Sequence, residues 1–111
     1  GVCYWDLIFT DGPEERDSSG AAIAVCGLLE LAKQLPVSDP NRRGFEKAAV
    51  AILRSLIDHY AIRPDQPSNG LIKHGVYHKS AGKGVNECCI WGDYFYLEAL
   101  VRMLLSWKPY W

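Results

Sequence analysis

The sequence predicts an all-α fold of about three long helices with one long loop or short hairpin. Three observations predict it. Two segments, 19–34 and 90–106, are apolar on every side, the pattern of a helix enclosed by others. Between them a third segment repeats apolar residues at the three-four spacing of a helix with one wet face. Prolines and polar clusters punctuate the joins.

The chain opens on Tyr4-Trp5-Asp6 and an irregular acidic stretch, Asp6, Asp11, Glu14, Glu15 and Asp17 against Arg16. Blocks of like charge usually face water, so this stretch reads as solvated surface rather than a metal cluster. The first helix begins after Asp17 or Ser18, both good N-caps, and runs to about Gln34 before Pro36 stops it. The second starts at Pro40, capped by Ser38 or Asp39, where the missing N–H costs least. Its inward residues are Phe45, Ala48, Ala49, Ile52, Leu53, Leu56, Ile57 and Tyr60, while Arg42, Arg43, Glu46, Lys47, Arg54, Ser55 and Asp58 fall mostly opposite. The third carries Ile90, Trp91, Tyr94, Phe95, Tyr96, Leu97, Leu100, Val101, Met103, Leu104 and Leu105 around its whole girth. Buried, amphipathic, buried is the alternation of inner and outer layers in a helical toroid, though four-helix and solenoid packings give it too.

The connection from about Ala61 to Asn86 is too long for an idle link. Pro64, Pro67, Ser68, Asn69 and Gly70 make its first half turn-rich. Leu71 to His78 can pair as a short hairpin bent near His74-Gly75, since glycine permits the turn and Val76 and Tyr77 favour strands.

With 111 residues, 49% of them hydrophobic, 23% charged, and a net charge of −1, the chain forms one small domain without the basic surplus of a nucleic-acid binder. No apolar run reaches the ~20 residues that span a bilayer, and no secretory leader is present, although Gly1 in place of Met leaves room for one removed earlier. Cys3, Cys26, Cys88 and Cys89 match no disulfide or zinc spacing and read as reduced thiols of a cytoplasmic protein.

Chemistry concentrates in the connection, where His74, Tyr77, His78, Lys79, Ser80 and Lys83 lie close together. A hydroxyl and two ammonium groups at Lys79 and Lys83 suit an anionic sugar, whose carboxylate or sulfate takes charge-assisted donors. Gly82-Lys83 is not a phosphate-binding loop, because Gly84 follows where Ser or Thr is needed. His74 and His78 have three residues between them, yet the CxxC half of a zinc site is missing. No metal and no cofactor is expected. Of the carboxylates, Asp6, Asp17, Asp58, Glu87, Asp93 and Glu98 lie near recognisable elements, but none forms a marked acid-base pair. Asp93, in the first turn of the third helix, is better explained by the helix dipole than by catalysis.

Residues KHGVYHKSAGKGVNECCIWGDYFYLEALVRMLLSW, with Tyr4-Trp5-Asp6 and Arg16-Asp17-Ser18-Ser19-Gly20-Ala21-Ala22-Ile23-Ala24 in order before them, resemble the C-terminal end of the unsaturated glucuronyl hydrolases, glycoside hydrolase family 88. The resemblance implies that residues 1–111 are a single partial domain, the last helical hairpins of an (α/α)6 toroid, ending near the family's natural terminus at Trp107-Lys108-Pro109-Tyr110-Trp111. It implies an activity that removes 4,5-unsaturated glucuronic acid from lyase-made glycosaminoglycan oligosaccharides by hydrating a vinyl ether, without metal or organic cofactor. The catalytic aspartates of the family lie upstream, so no catalytic residue is expected here. Tyr77, His78, Ser80 and Lys83 match the loop that contacts the sugar beside the scissile bond, with a spacing of Ser80 and Lys83 that departs from some members. The implied partners are an unsaturated anionic oligosaccharide and either a second copy or the missing N-terminal part of the barrel, with no nucleic acid and no membrane. Rival readings are the related family 105 hydrolases, acting on unsaturated pectin disaccharides, and a non-enzymatic helical binding module.

Overall fold

A computed structural model describes residues 1–108; Pro109, Tyr110 and Trp111 of the expected terminus lie outside the described residues. The elements are α1 (Ser18–Gln34), α2 (Pro40–His59), β1 (Gly75–His78), a 3-10 turn (Lys79–Ala81), β2 (Lys83–Glu87) and α3 (Ile90–Leu104). The all-α expectation with a short hairpin is met.

Both early helices begin where a side-chain acceptor can satisfy an orphan amide. The Asp17 carboxylate accepts from Ser19 N at 3.0 Å, and Asp39 accepts from Asn41 N at 2.8 Å with Pro40 next in line. Helix α3 has no side-chain cap at Cys89; its first turn carries Asp93, whose own bonds lead elsewhere.

Helix α1 lies between α2 and α3. Pairs along its length fix the direction of α3: Trp91 meets Ser19, the Phe95 carbonyl meets Cys26, Arg102 meets Glu30, and the Trp107 carbonyl meets Lys33. Numbers rise together, so α1 and α3 run parallel with both N-termini at one end. Helix α2 runs back the other way, because Arg42 at its start bonds the Leu35 carbonyl while Tyr60 at its end packs on His74, whose carbonyl accepts from Ser18 N. Two parallel helices linked through an antiparallel one is the layering that the alternation of buried and amphipathic segments called for.

The core is made by Ala21, Ala22 and Val25 of α1, Ala49, Leu53 and Leu56 of α2, and Tyr96 and Ala99 of α3, joined by Val2 and Ile72. Alanines at the crossings let the helices approach, and Leu56 fills the space with no exposure at all. Burying such a side chain stabilises by roughly 1.5–3 kcal/mol. Towards the other end, Arg102 is held between Glu30 and Glu98, each at 2.8 Å. Burial pulls the Arg102 pKa down, but its bonds to the two carboxylates outweigh that and leave it raised.

The helices that read as apolar all round are not covered all round. On α3, Ile90, Tyr94, Leu97 and Leu104 share one stripe and remain exposed; on α1, Ile23 and Leu31 do the same. Ile57 of α2, expected inward, is also exposed. Open apolar stripes are what a partial ring would leave.

The hairpin differs from its predicted position. Its bend lies at the 3-10 turn 79–81, closed by Gly82 in the left-handed region (φ 62°), and not at His74-Gly75. Gly75 begins β1 opposite Glu87, where a Cβ would stand 3.0 Å from both the Glu87 carbonyl and the Cys89 sulfur. Close approach rather than turning is what glycine serves there. After the Gly75–Glu87 pair the register shifts, and Val76 opposes Val85.

Candidate functional site

The hairpin sits at the end where α1 and α3 begin, and polar bonds hold it there. Asp17 is the hub. Its Oδ1 accepts from Ser19 N, from Ser19 Oγ at 2.6 Å and from Val76 N of β1 at 3.3 Å, so the residue that caps α1 also anchors the strand. Ser18 N donates to the carbonyl of His74 at 3.1 Å. Trp91 Nε1 donates to Ser19 Oγ at 3.2 Å, and the ring of Trp91 packs on Tyr77 with centroids 5.6 Å apart. Asp93 Oδ1 accepts from Leu71 N at 2.9 Å and Ile72 N at 3.1 Å, tying the incoming connection to α3. That accounts for the unusual acid more specifically than a dipole does.

Of the residues expected to bind, Tyr77 and His78 lie on β1, Ser80 in the turn and Lys83 at the start of β2. All four are exposed. The hairpin therefore brings them together on one projecting tip, with Tyr77 steadied by Trp91 and neighbouring His78 at 6.4 Å. The Lys83 side chain makes no hydrogen bond or ion pair among the described residues, which leaves its ammonium free for a ligand. Lys79 does not share that role, because its ammonium is bonded to the carboxylate of Glu15 in the acidic opening. This bond is the first reason, and a backbone hydrogen bond the second, that the Glu15 carboxyl is held below its usual value. The acidic stretch is thus partly engaged: Glu14 takes the Trp5 indole at 3.1 Å and Asp6 takes Ile8 N at 3.0 Å.

Among the described residues no group of three or more His, Cys, Asp or Glu side chains could hold a metal, and no helix is long and apolar enough to cross a membrane. All four cysteines are free thiols, and burial, reinforced by the nearby Glu98 carboxylate, pushes Cys26 up to about 12. Such a thiol is inert.

Sequence reasoning missed the supporting roles of Asp17, Ser19 and Trp91. From the residues themselves the DSSG run offers a cap and Trp91 helix girth; neither shows that the two meet at the hairpin. The pairing of a helix cap with a strand 59 residues away has no local signal.

No protein-family model matches the chain. Over 111 residues it is 54% identical to an unsaturated chondroitin disaccharide hydrolase of Streptococcus pyogenes serotype M1, a match that covers 99% of this chain and 28% of that protein. It is 46% identical to an unsaturated glucuronyl hydrolase of Bacillus sp. (strain GL1), covering 100% of this chain and 30% of that one. Among solved structures, the unsaturated glucuronyl hydrolase from Streptococcus agalactiae superposes with a TM-score of 0.91 at 50% identity, over 99% of this chain and 28% of that one. One specific for heparin superposes with a TM-score of 0.83 at 27% identity, over 97% of this chain and 30% of that one. The resemblance to unsaturated glucuronyl hydrolases is therefore borne out, and the chain spans only 28–30% of the length of these relatives.

Proposed function

We propose that the protein carrying this chain is a glycoside hydrolase that removes 4,5-unsaturated glucuronic acid from the non-reducing end of lyase-generated glycosaminoglycan oligosaccharides. The observation that carries this is the exposed, firmly tethered hairpin tip on a chain about half identical, along nearly its whole length, to hydrolases named for such substrates. An Asp→Asn variant of the S. agalactiae enzyme is solved with dGlcA-GalNAc6S, an anionic disaccharide of this kind, and superposes with a TM-score of 0.92.

In this reading an upstream general acid protonates the vinyl ether, water adds to it, and the hydrated product collapses to free the neighbouring sugar. The chain supplies recognition. Tyr77 offers a ring face, His78 and Ser80 hydrogen bonds, and Lys83 a charge-assisted donor to a carboxylate or sulfate on the sugar beside the scissile bond. Residues 1–111 are one partial domain of a helical toroid, its last hairpins, and the reduced thiols suit a cytoplasmic setting. By itself the chain is inactive for want of the catalytic aspartates. Its open stripes on α1 and α3 are covered by the rest of the barrel or, in isolation, by another copy.

Loss of the double bond's ultraviolet absorbance, with the intact protein and an unsaturated chondroitin disaccharide, tests the reading. Turnover is expected. Activity confined to unsaturated pectin disaccharides would move the protein to the related pectin-directed class, and no turnover of either would leave a binding module.

A further inference from the structure

Behind the hairpin lies a cavity of about 400 Å³ lined by Glu15, Arg16, His59, Tyr60, His74 and Asn86, together with Pro13. A second cavity of about 410 Å³ shares Arg16, His59 and Tyr60 with it, so the two form one groove. We propose that this groove is a second anion subsite, distinct from the hairpin tip, that takes the carboxylate or sulfate group of an acidic sugar. The anion chemistry stands on the groove itself; only its assignment to a sugar rests on the function proposed above.

Backbone strain points here first. Among the described residues His74 (φ 66°) and Asn86 (φ 60°) are the two non-glycine residues in the left-handed region, and both line this one cavity. Strain of this kind gathers at ligand sites. Part of it has a structural use, since the His74 carbonyl accepts from Ser18 N and Asn86 sits at the register shift of the hairpin. Those uses ask only for a left-handed backbone, which glycine adopts without steric cost. The imidazole is then surplus to them. It is oriented from two sides, edge-on to Tyr60 with centroids 5.8 Å apart and 3.2 Å from Asn86 Oδ1.

Charge points the same way. Arg16 is set in place with its guanidinium carbon 3.5 Å from the centre of the Tyr4 ring and one nitrogen donating to the Val2 carbonyl at 2.9 Å. A guanidinium has five N–H donors, and this bond uses one. The His59 imidazole makes no hydrogen bond among the described residues. The acid in the lining, Glu15, is already engaged by Lys79. Donors therefore outnumber free acceptors around a space wide enough for a carboxylate or sulfate, and the Tyr60 and His74 rings give a sugar ring apolar faces.

The test follows the imidazole C–H signals of the intact protein by NMR while glucuronate, and separately inorganic sulfate, is added. Saturable shifts at His59 and His74 but not His78 are expected for one or both anions, with at least tenfold weaker binding in Arg16→Gln. Because Arg16 also steadies Tyr4, Asn86→Gly is the second variant; it keeps the left-handed backbone, removes the amide and should weaken binding severalfold with an unchanged melt. No saturable shift, shifts at His78 alone, or equal affinity in wild type and both variants would overturn the subsite. Lys83→Ala should leave the groove's affinity unchanged while altering turnover of sulfated substrate, so the two readings fail separately.

Discussion

The helical layer and the hairpin are built by opposite means. In the layer, Ala22, Val25, Ala49 and Leu56 are wholly buried and contact one another through apolar surface that any slip would expose. In the hairpin only Gly75 is buried, and its place is set by discrete bonds to Asp17, Ser18, Glu15 and the Trp91 ring. The difference separates two jobs. Apolar burial supplies stability without exposing chemistry, whereas a small set of directional contacts holds exposed polar groups in a chosen orientation at little cost in buried area.

Substitutions should divide along this line. Leu56→Ala leaves a cavity at a fully enclosed point of the layer and should cost about 2–5 kcal/mol in a denaturant melt, with kcat/KM per folded molecule unchanged. A loss under ~1 kcal/mol would mean that the layer is loosely packed. Lys83→Ala, on the hairpin, should do the reverse. Stability stays within about 0.5 kcal/mol, while kcat/KM of the intact protein on sulfated substrate falls about ten- to a hundredfold, more than on unsulfated substrate, for loss of a charge-assisted bond of ~1.5–3 kcal/mol. Equal losses on both substrates would make Lys83 an ordinary surface lysine.

Asp17→Ala bridges the two regions. It removes the α1 cap and the anchor of Val76, so a loss of roughly 0.5–2 kcal/mol should come with faster hydrogen exchange at the Val76 amide. Unchanged exchange at Val76 would detach the cap from the hairpin. The smallest effect concerns acid. The Glu15 carboxyl is held below its usual value in the fold by its hydrogen bond to Lys79, so the tether is fully present above the unfolded value and is lost as pH falls through the folded one. Resonances of Tyr77 and His78 should broaden only once pH has fallen below the ordinary glutamate range, with no matching change in the helices, and Lys79→Met should show the broadening already at neutral pH.

Much of the fold was legible in the order of the residues. The caps at Asp17 and Asp39, Pro40 at the start of α2, and the alternation of buried and amphipathic helices are local signals, and a helix forms or fails over a few neighbours. The four residues proposed to bind were legible as a cluster because they lie within seven positions of one another. What only the tertiary structure decided is where that cluster points and what surrounds it. Gly75 looked like a bend and proved to be a point of close approach; Lys79 looked free and is paired with Glu15, 64 residues away. His74 and Asn86 acquire a shared groove with Arg16 only when β1, β2 and the acidic opening come together. The physical reason is range. Helix propensity and capping act through the backbone over one or two turns, but the partner of an exposed charge and the lining of a groove depend on residues brought near by packing, which leave no mark on the sequence between them.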